Sequence, residues 1–152
     1  MATLFLICGL PGAGKTTLAR ELEQQHSAIR FSPDEWITQI IADVNDRAEL
    51  DRLRTPVESL QWQVAKRCLV LGCNVILEWG FWSREERDFY RREAEALGAK
   101  VQLIYLAVEP DELWRRLERR NADLPEGSFT VTKEELDLWS SWFQEPSADE
   151  LE

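Results

Sequence analysis

The sequence has no apolar run approaching the roughly 18 residues that a membrane-crossing helix requires. Its opening, Met1-Ala2-Thr3-Leu4-Phe5-Leu6-Ile7-Cys8, lacks the basic start and small-residue cleavage site of a secretory signal. A soluble, cytoplasmic chain is expected. Cysteine is scarce: Cys8, Cys68 and Cys73 form no C-x-x-C pair and leave one thiol over. Cys8 lies in an apolar run and Cys68 on an apolar helix stripe, which points to buried reduced thiols rather than a disulfide scaffold. The single histidine, His26, has no partner ligand in sequence, so no histidine-based metal or catalytic centre is expected. Positive charge is in the minority, with 18 Lys and Arg against 28 Asp and Glu and a formal net charge of −10. That balance argues against a protein that coats nucleic acid non-specifically, because phosphate neutralisation needs a basic face, and leaves room for a small local basic pocket. Much of the surplus sits at the end of the chain, where residues 133–152 carry seven acids against Lys133, a balance of −6.

There is also no internal repeat, low-complexity tract or linker, and 152 residues suffice for one domain with a real core. Residues 1–146 read as that domain and 147–152 as a short acidic tail, frayed in solution. Near-continuous apolar runs at residues 4–8, 28–31, 74–78 and 101–106 read as strands buried on both faces. Helical patterns alternate with them. Capping-box strings begin at Ser32, Thr55, Ser83 and Thr132, each followed three residues later by a glutamate. In two of these, Pro33 and Pro56 occupy the first helical position, where a missing N–H costs nothing. Val57, Leu60, Val64, Cys68 and Leu71 then read as one buried stripe. Gly72 and Gly98 read as left-handed helix stops, and another helix runs from Pro110 to about Asn121. The alternation predicts an α/β fold of three layers with a mainly parallel sheet of four to five strands.

Gly9-Leu10-Pro11-Gly12-Ala13-Gly14-Lys15-Thr16 matches G-x-x-x-x-G-K-[ST] in full, between a buried strand and a helix. The chemistry needs this spacing. Gly9, Gly12, Ala13 and Gly14 wrap backbone N–H groups around a β-phosphate, and the following helix aims its positive end at the same anion. Lys15 reaches the β and γ oxygens, Thr16 holds Mg²⁺, and Thr17 is placed for the α-phosphate. The alternative, a glycine-rich turn without a ligand, does not account for both the strand and the helix that flank it.

That string, together with Ser32-Pro33-Asp34-Glu35-Trp36, Glu78-Trp79-Gly80-Phe81-Trp82-Ser83-Arg84 and the arginine-rich helix around Leu117, resembles the small P-loop kinases. Relatives of that family include the kinase domain of polynucleotide kinase, chloramphenicol phosphotransferase and zeta toxin. The resemblance runs from about Thr3 to Pro146 and implies a P-loop NTPase fold, ATP and Mg²⁺ as cofactors, and phosphoryl transfer to a hydroxyl.

It also implies that Asp34 accepts the proton of the acceptor hydroxyl. The capping pattern separates the two adjacent acids: Glu35 can fold back onto the cap of its own helix, leaving Asp34 to project into the crevice. An acid in a first helical turn is otherwise favoured by the helix dipole alone. Ile37 stands where polynucleotide-kinase-like sequences carry an arginine, which weighs against a polynucleotide 5′-hydroxyl acceptor. Glu78 closes the third strand as a Walker-B-like acid that would orient Mg²⁺ through water. An acid there is costly if buried without an ion or cation beside it, unless it is exposed. Trp82 could stack on a substrate ring or simply pack, and Arg84 and Arg87 could bind substrate or belong to a plain surface. Among Arg115, Arg116, Arg119 and Arg120, the resemblance favours Arg116 and Arg120 as lid groups over the γ-phosphate, ahead of a flexible stretch at 122–128. The competing reading of all four is a solvated helix face.

Taken together, the residues and the resemblance predict an ATP-dependent kinase acting on a small-molecule or nucleoside-like hydroxyl, with no membrane or non-specific nucleic-acid partner. The alternative is a nucleotide-binding regulatory or toxin-like module without such activity. Weaker readings are a polynucleotide 5′-hydroxyl kinase or a nucleoside-monophosphate kinase, since Gly80-Phe81 is similar to part of the latter's Asp-Gly-Phe-Pro-Arg segment but the acid and arginine spacing differ. No Asn-Lys-x-Asp or Thr-Lys-x-Asp string follows a strand, which argues against a GTPase.

Overall fold

The computed structural model describes residues 1–151. Four strands, β1 (Thr3–Cys8), β2 (Ile29–Phe31), β3 (Val75–Gly80) and β4 (Lys100–Tyr105), form one sheet in the order β2-β3-β1-β4. Every pairing is parallel, as expected for strands apolar on both faces. β1 shows why its sequence is continuously apolar. Leu4, Leu6 and Cys8 enter the core on one face of the sheet, while Phe5 and Ile7 enter the core on the other.

The helices α1 (Lys15–His26), α2 (Pro33–Ile40), α3 (Arg47–Val70), α4 (Arg84–Ala96), α5 (Pro110–Ala122) and α6 (Lys133–Trp142) complete the chain. Ala19 and Leu22 of α1 pack on Phe5, Ile7 and Ile76. Trp62, Ala65 and Leu69 of α3 and Ala94 of α4 pack on the opposite face. Helix, sheet and helices make the three layers. Leu113 and Leu117 of α5 and Leu136 of α6 form a separate cluster with Ala13 beyond the carboxyl ends of the strands.

Three of the expected helix starts are present. Ser32, Ser83 and Thr132 each accept a hydrogen bond from the backbone N–H three residues on, and Thr132–Glu135 is a complete capping box. Gly72 and Gly98 do stop their helices at positive φ. The start at Thr55 is not a start. Asp46 caps α3 instead, through the N–H of Glu49, and the helix runs through Pro56. A proline inside a helix forfeits one hydrogen bond and costs about 3 kcal/mol. The two added turns offset that by burying Leu50 with Ile37 and Val57, since a fully buried leucine contributes about 1.5–3 kcal/mol. They also carry Arg54 to the crevice.

The stripe on α3 is likewise rotated from the expected one. Val57, Gln61, Trp62, Ala65 and Leu69 face inward, whereas Leu60 is 54% and Leu71 80% exposed. Trp62 decides the rotation: its ring meets Tyr90 edge-on, and small Ala65 lets the helix approach the sheet. Gln61, fully buried, donates from Nε2 to the Ser32 carbonyl at 3.0 Å.

The tail is ordered where it is described. Ala148–Glu150 forms one 3₁₀ turn, and Glu150 is buried against Arg87 with Nε to Oε1 at 2.6 Å. The frayed segment expected over 147–152 is therefore corrected for residues 147–151, and residue 152 lies outside the described residues. Its composition suggested a solvated end, but one buried arginine supplies a partner that composition does not show.

Candidate active site

β1 and β3 lie side by side at the centre of the sheet, so the segments leaving their carboxyl ends meet. The Gly9 N–H donates to the Gly80 carbonyl at 3.0 Å, which ties the phosphate-type loop to the end of β3. Between them opens a crevice of about 980 Å³ at the carboxyl edge of the sheet, where ligands of open α/β folds bind. Gly12, Gly14, Lys15, Thr16, Thr17, Asp34, Glu78, Trp82, Arg116 and Arg120 all line it.

The loop has the shape that the glycines predict. Gly12 and Gly14 hold φ of +88° and +97°, and a Cβ on Gly12 would stand 3.1 Å from the Leu113 carbonyl oxygen. Gly9 is equally tight, since a Cβ there would lie 3.2 Å from that of Ala13. Lys15 donates from Nζ to the carbonyls of Gly9 and Leu10 at 3.1 and 2.9 Å. Those partners are neutral, and burial pushes its ammonium down to about pKa 8. A phosphate on the loop would supply the missing negative charge.

Thr16 and Glu78 come together from opposite sides of the loop, with Thr16 Oγ1 donating to Glu78 Oε1 at 3.3 Å. Glu78 does not end its strand: β3 continues to Gly80, and the carboxylate is nearly fully buried. Burial raises its pKa, opposed by Arg30, whose Nη1 lies 3.5 Å from Oε1. Arg30 is the cationic neighbour that a buried strand acid demands. The second carboxylate oxygen, Oε2, is buried without a hydrogen-bond partner. A hydroxyl, a carboxylate and an orphaned oxygen on one wall suit a Mg²⁺ held partly by phosphate and water, so the residues present fit Mg-ATP.

Asp34 projects into the crevice as expected, but for a different reason. Glu35 does not close the capping box. Its carboxylate pairs with Arg30 at 2.9 Å instead, because β2 places that cation directly beneath the first turn of α2. Asp34 Oδ1 accepts from Arg54 Nη1 at 2.9 Å, and the same guanidinium reaches Glu58 at 3.5 Å. Arg54 was invisible in the sequence because the expected helix began at Pro56, leaving Arg54 outside it.

The arginines of α5 divide between two faces. Arg116 and Arg120 face the crevice, while Arg115 and Arg119 are exposed elsewhere on α5. Arg116 donates to Glu112 at 3.1 Å and to the Gly12 carbonyl at 3.3 Å. Arg120 has a buried Nε without a partner, and burial lowers its pKa. Asn121 clamps the following loop, donating from Nδ2 to the Val131 carbonyl and accepting the Val131 N–H. Arg47 holds the far end of that loop: it lies over the rings of Phe129 and Trp139 and pairs with Glu135 at 2.7 Å.

Trp82 donates from Nε1 to the Gly9 carbonyl at 3.3 Å and leans on Trp139. Arg84 and Arg87 are not brought into the crevice. Arg84 is exposed and pairs with Asp88 and Asp149. Arg87 is 2% exposed and donates to Glu150 and to the Phe81 carbonyl at 2.8 Å. Phe81 holds a positive φ of 49°, a strained conformation for a bulky residue. Arg87 thus braces the bend that turns Trp82 toward the loop. Neither a substrate contact nor a surface side chain, it was misread because its partner lies 63 residues away.

His26 packs on Phe5, remote from the crevice wall, and Cys8 is a buried thiol whose pKa burial raises to about 11. Among the described residues, no helix is long and apolar enough to cross a membrane.

Comparison with known proteins extends the fold. Kti12 of Chaetomium thermophilum, solved in complex with ADP-AlF₃, is 17% identical with a TM-score of 0.71, covering 95% of this chain and 81% of that one. A gluconokinase from Sinorhizobium meliloti 1021 is 15% identical with a TM-score of 0.65, covering 97% and 78%. A chain of the Pnkp1/Rnl/Hen1 RNA repair complex is 19% identical with a TM-score of 0.68, covering 93% of this chain but 43% of that one. At such identities the likeness is one of fold. No match is found among curated proteins. A family described as an AAA domain matches residues 4–146, nearly the whole sequence and both walls of the crevice. The chain therefore belongs to this AAA-domain family of P-loop, kinase-like proteins.

Proposed function

We propose that this protein is an ATP-dependent phosphotransferase that moves the γ-phosphoryl group of Mg-ATP to a hydroxyl of a small-molecule or nucleoside-like acceptor. The observation that carries the reading is the convergence of Lys15, Thr16, Glu78, Asp34, Arg116 and Arg120 on one crevice. Mg-ATP would supply the phosphoryl group, and its metal the positive charge that offsets the phosphates. The loop N–H groups of residues 12–17 and Lys15 would hold the phosphates, and Thr16 with Glu78 would hold the metal. Asp34 holds the acceptor hydroxyl and takes its proton as the new P–O bond forms, while the bond to the bridging β–γ oxygen breaks and ADP leaves. Arg116 and Arg120 meet the charge that spreads over the equatorial oxygens.

A second reading has support too. Kti12 shares the fold, and Asp34 is held by Arg54, as befits a nucleotide-binding module whose hydrolysis is incidental. An ATP-consumption screen across sugars, nucleosides, antibiotics and 5′-hydroxyl oligonucleotides separates the two. Turnover that depends on one acceptor supports the kinase, and turnover indifferent to every acceptor supports the module.

A further inference from the structure

Beyond the phosphate loop, the crevice changes character. Its far wall carries Glu58 of α3 and Glu86 of α4 beside Asp34. Among the described residues Arg54 is the one guanidinium paired with these carboxylates, touching Asp34 and Glu58. Among the described residues Glu86 has no side-chain hydrogen bond or ion pair, although it is partly buried. Another arginine of the crevice, Arg47, is spent on Glu135 and the Thr130 carbonyl. Lys15 and Arg120 act on Asp34 from the phosphate side of the crevice, so the negative surplus is that of Glu58 and Glu86, which share Arg54, the Arg87 near Glu86 being already paired with Glu150.

The pocket registers that surplus. Burial, with Glu86 and Asp34 nearby, pushes the Glu58 carboxyl up to about 7 against the opposing pull of Arg54. Burial raises Glu86 as well. An independent feature of the same wall also lacks its complement. Trp79 is only 5% exposed, lines the crevice, and has a buried indole N–H with no partner. Buried donors and acceptors are ordinarily satisfied, so an unpaired one on a crevice wall marks a place where a ligand's lone pair belongs. Trp82, Trp139 and Trp142 also line the crevice, Trp82 leaning on Trp139 and Arg47 lying over the Trp139 ring.

We propose that the acceptor is a hydroxyl-bearing amine of amino-sugar size, with its ammonium held between Glu58 and Glu86 and its ring seated on the Trp82, Trp139 and Trp142 wall. This rests on the kinase reading and names its substrate class. The geometry suits such a molecule: one guanidinium touches Asp34 at 2.9 Å and Glu58 at 3.5 Å, so a hydroxyl at Asp34 and an amine at Glu58 fit within one small ligand. Aromatic faces attract both the C–H face of a sugar and a cation. A phosphorylated or polynucleotide acceptor would meet like charge at the same place.

The test uses the full chain with saturating Mg-ADP, reading the quenching of tryptophan fluorescence by glucosamine, glucose, N-acetylglucosamine and a 5′-hydroxyl dinucleotide. Glucosamine should bind at least tenfold more tightly than glucose or N-acetylglucosamine. Glu86→Gln and Glu58→Gln should each cut that discrimination to threefold or less. Should Glu58→Gln fail to fold, Glu86→Gln carries the test, because its side chain has no partner to lose. Equal binding of glucose, tighter binding of the dinucleotide, no saturable response to glucosamine, or undiminished discrimination in folded Glu86→Gln would each overturn the inference. The acceptor screen run on the same protein keeps the two readings apart: turnover that depends on an acceptor other than an amine confines the failure to the acceptor class, while turnover indifferent to every acceptor refutes the kinase reading on which it rests.

Discussion

Breaking the ion pair between Arg87 and Glu150 should unfold the protein more readily than any change on its surface. Arg87 is 2% exposed and bonds the Phe81 carbonyl as well as Glu150. Glu150→Ala leaves that guanidinium buried with its charge uncompensated, a loss of about 3–5 kcal/mol. For a domain of this size each kcal/mol moves Tm by roughly 2–4 °C, so the melting temperature should fall by about 6–20 °C. Replacing both partners, as Arg87→Met with Glu150→Leu, removes the orphaned charge and should recover most of the loss. A urea-unfolding double-mutant cycle therefore reads a large coupling between the two sites. The pH dependence has a definite sign. Burial alone would raise the Glu150 carboxyl, but Arg87 and the Ser147 N–H hold it below its ordinary value of 4.5. Its contribution is then complete above the unfolded pKa and is lost as pH falls through the folded one. A Glu150→Ala protein within about 0.5 kcal/mol of wild type would refute the docked tail and with it the brace under Phe81.

The loop lysine makes nucleotide binding proton-linked. Lys15 titrates near pH 8 when paired only with carbonyls, and bound phosphate should restore its charge. Calorimetry of Mg-ATP binding at pH 8 in buffers of different ionisation enthalpy should therefore show proton uptake, absent in Lys15→Ala together with most of the affinity. Arg116→Ala and Arg120→Ala should lower kcat by at least tenfold with little change in the Kd for Mg-ATP, since their charge is called on in the transition state. Wild-type turnover in both variants, measured by coupled ADP release, would return α5 to a solvated face.

The strands and the phosphate loop were legible because their signals are local: both-face burial makes a strand continuously apolar, and a loop that wraps an anion needs glycine at fixed offsets. Asp34, Glu78, Arg116 and Arg120 were legible as candidates through the resemblance, and the crevice gathers them. What failed to show was every partner that arrives from elsewhere in the chain. Arg30 beneath Glu78, Arg54 on Asp34 and Glu150 on Arg87 are pairings set by topology, and no spacing encodes them. The α3 errors have one root. Thr55-Pro56-Val57-Glu58 is a sound cap locally, yet burial of Leu50 outweighs it and the weight of Trp62 turns the helix.

The central claim is phosphoryl transfer at Asp34, and one comparison tests it most directly. Wild type and Asp34→Asn are incubated with Mg-ATP and the acceptor that supports turnover, and phosphorylated acceptor is quantified by mass spectrometry alongside calorimetric ATP affinity. The substitution is nearly isosteric at a half-buried first helical turn and keeps an oxygen that can accept from Arg54, so stability should change by less than about 1 kcal/mol. The account predicts phosphorylated acceptor from wild type and none from Asp34→Asn, with ATP affinity within twofold. Undiminished transfer by Asp34→Asn, or ATP hydrolysis by wild type with no acceptor ever modified, would contradict it.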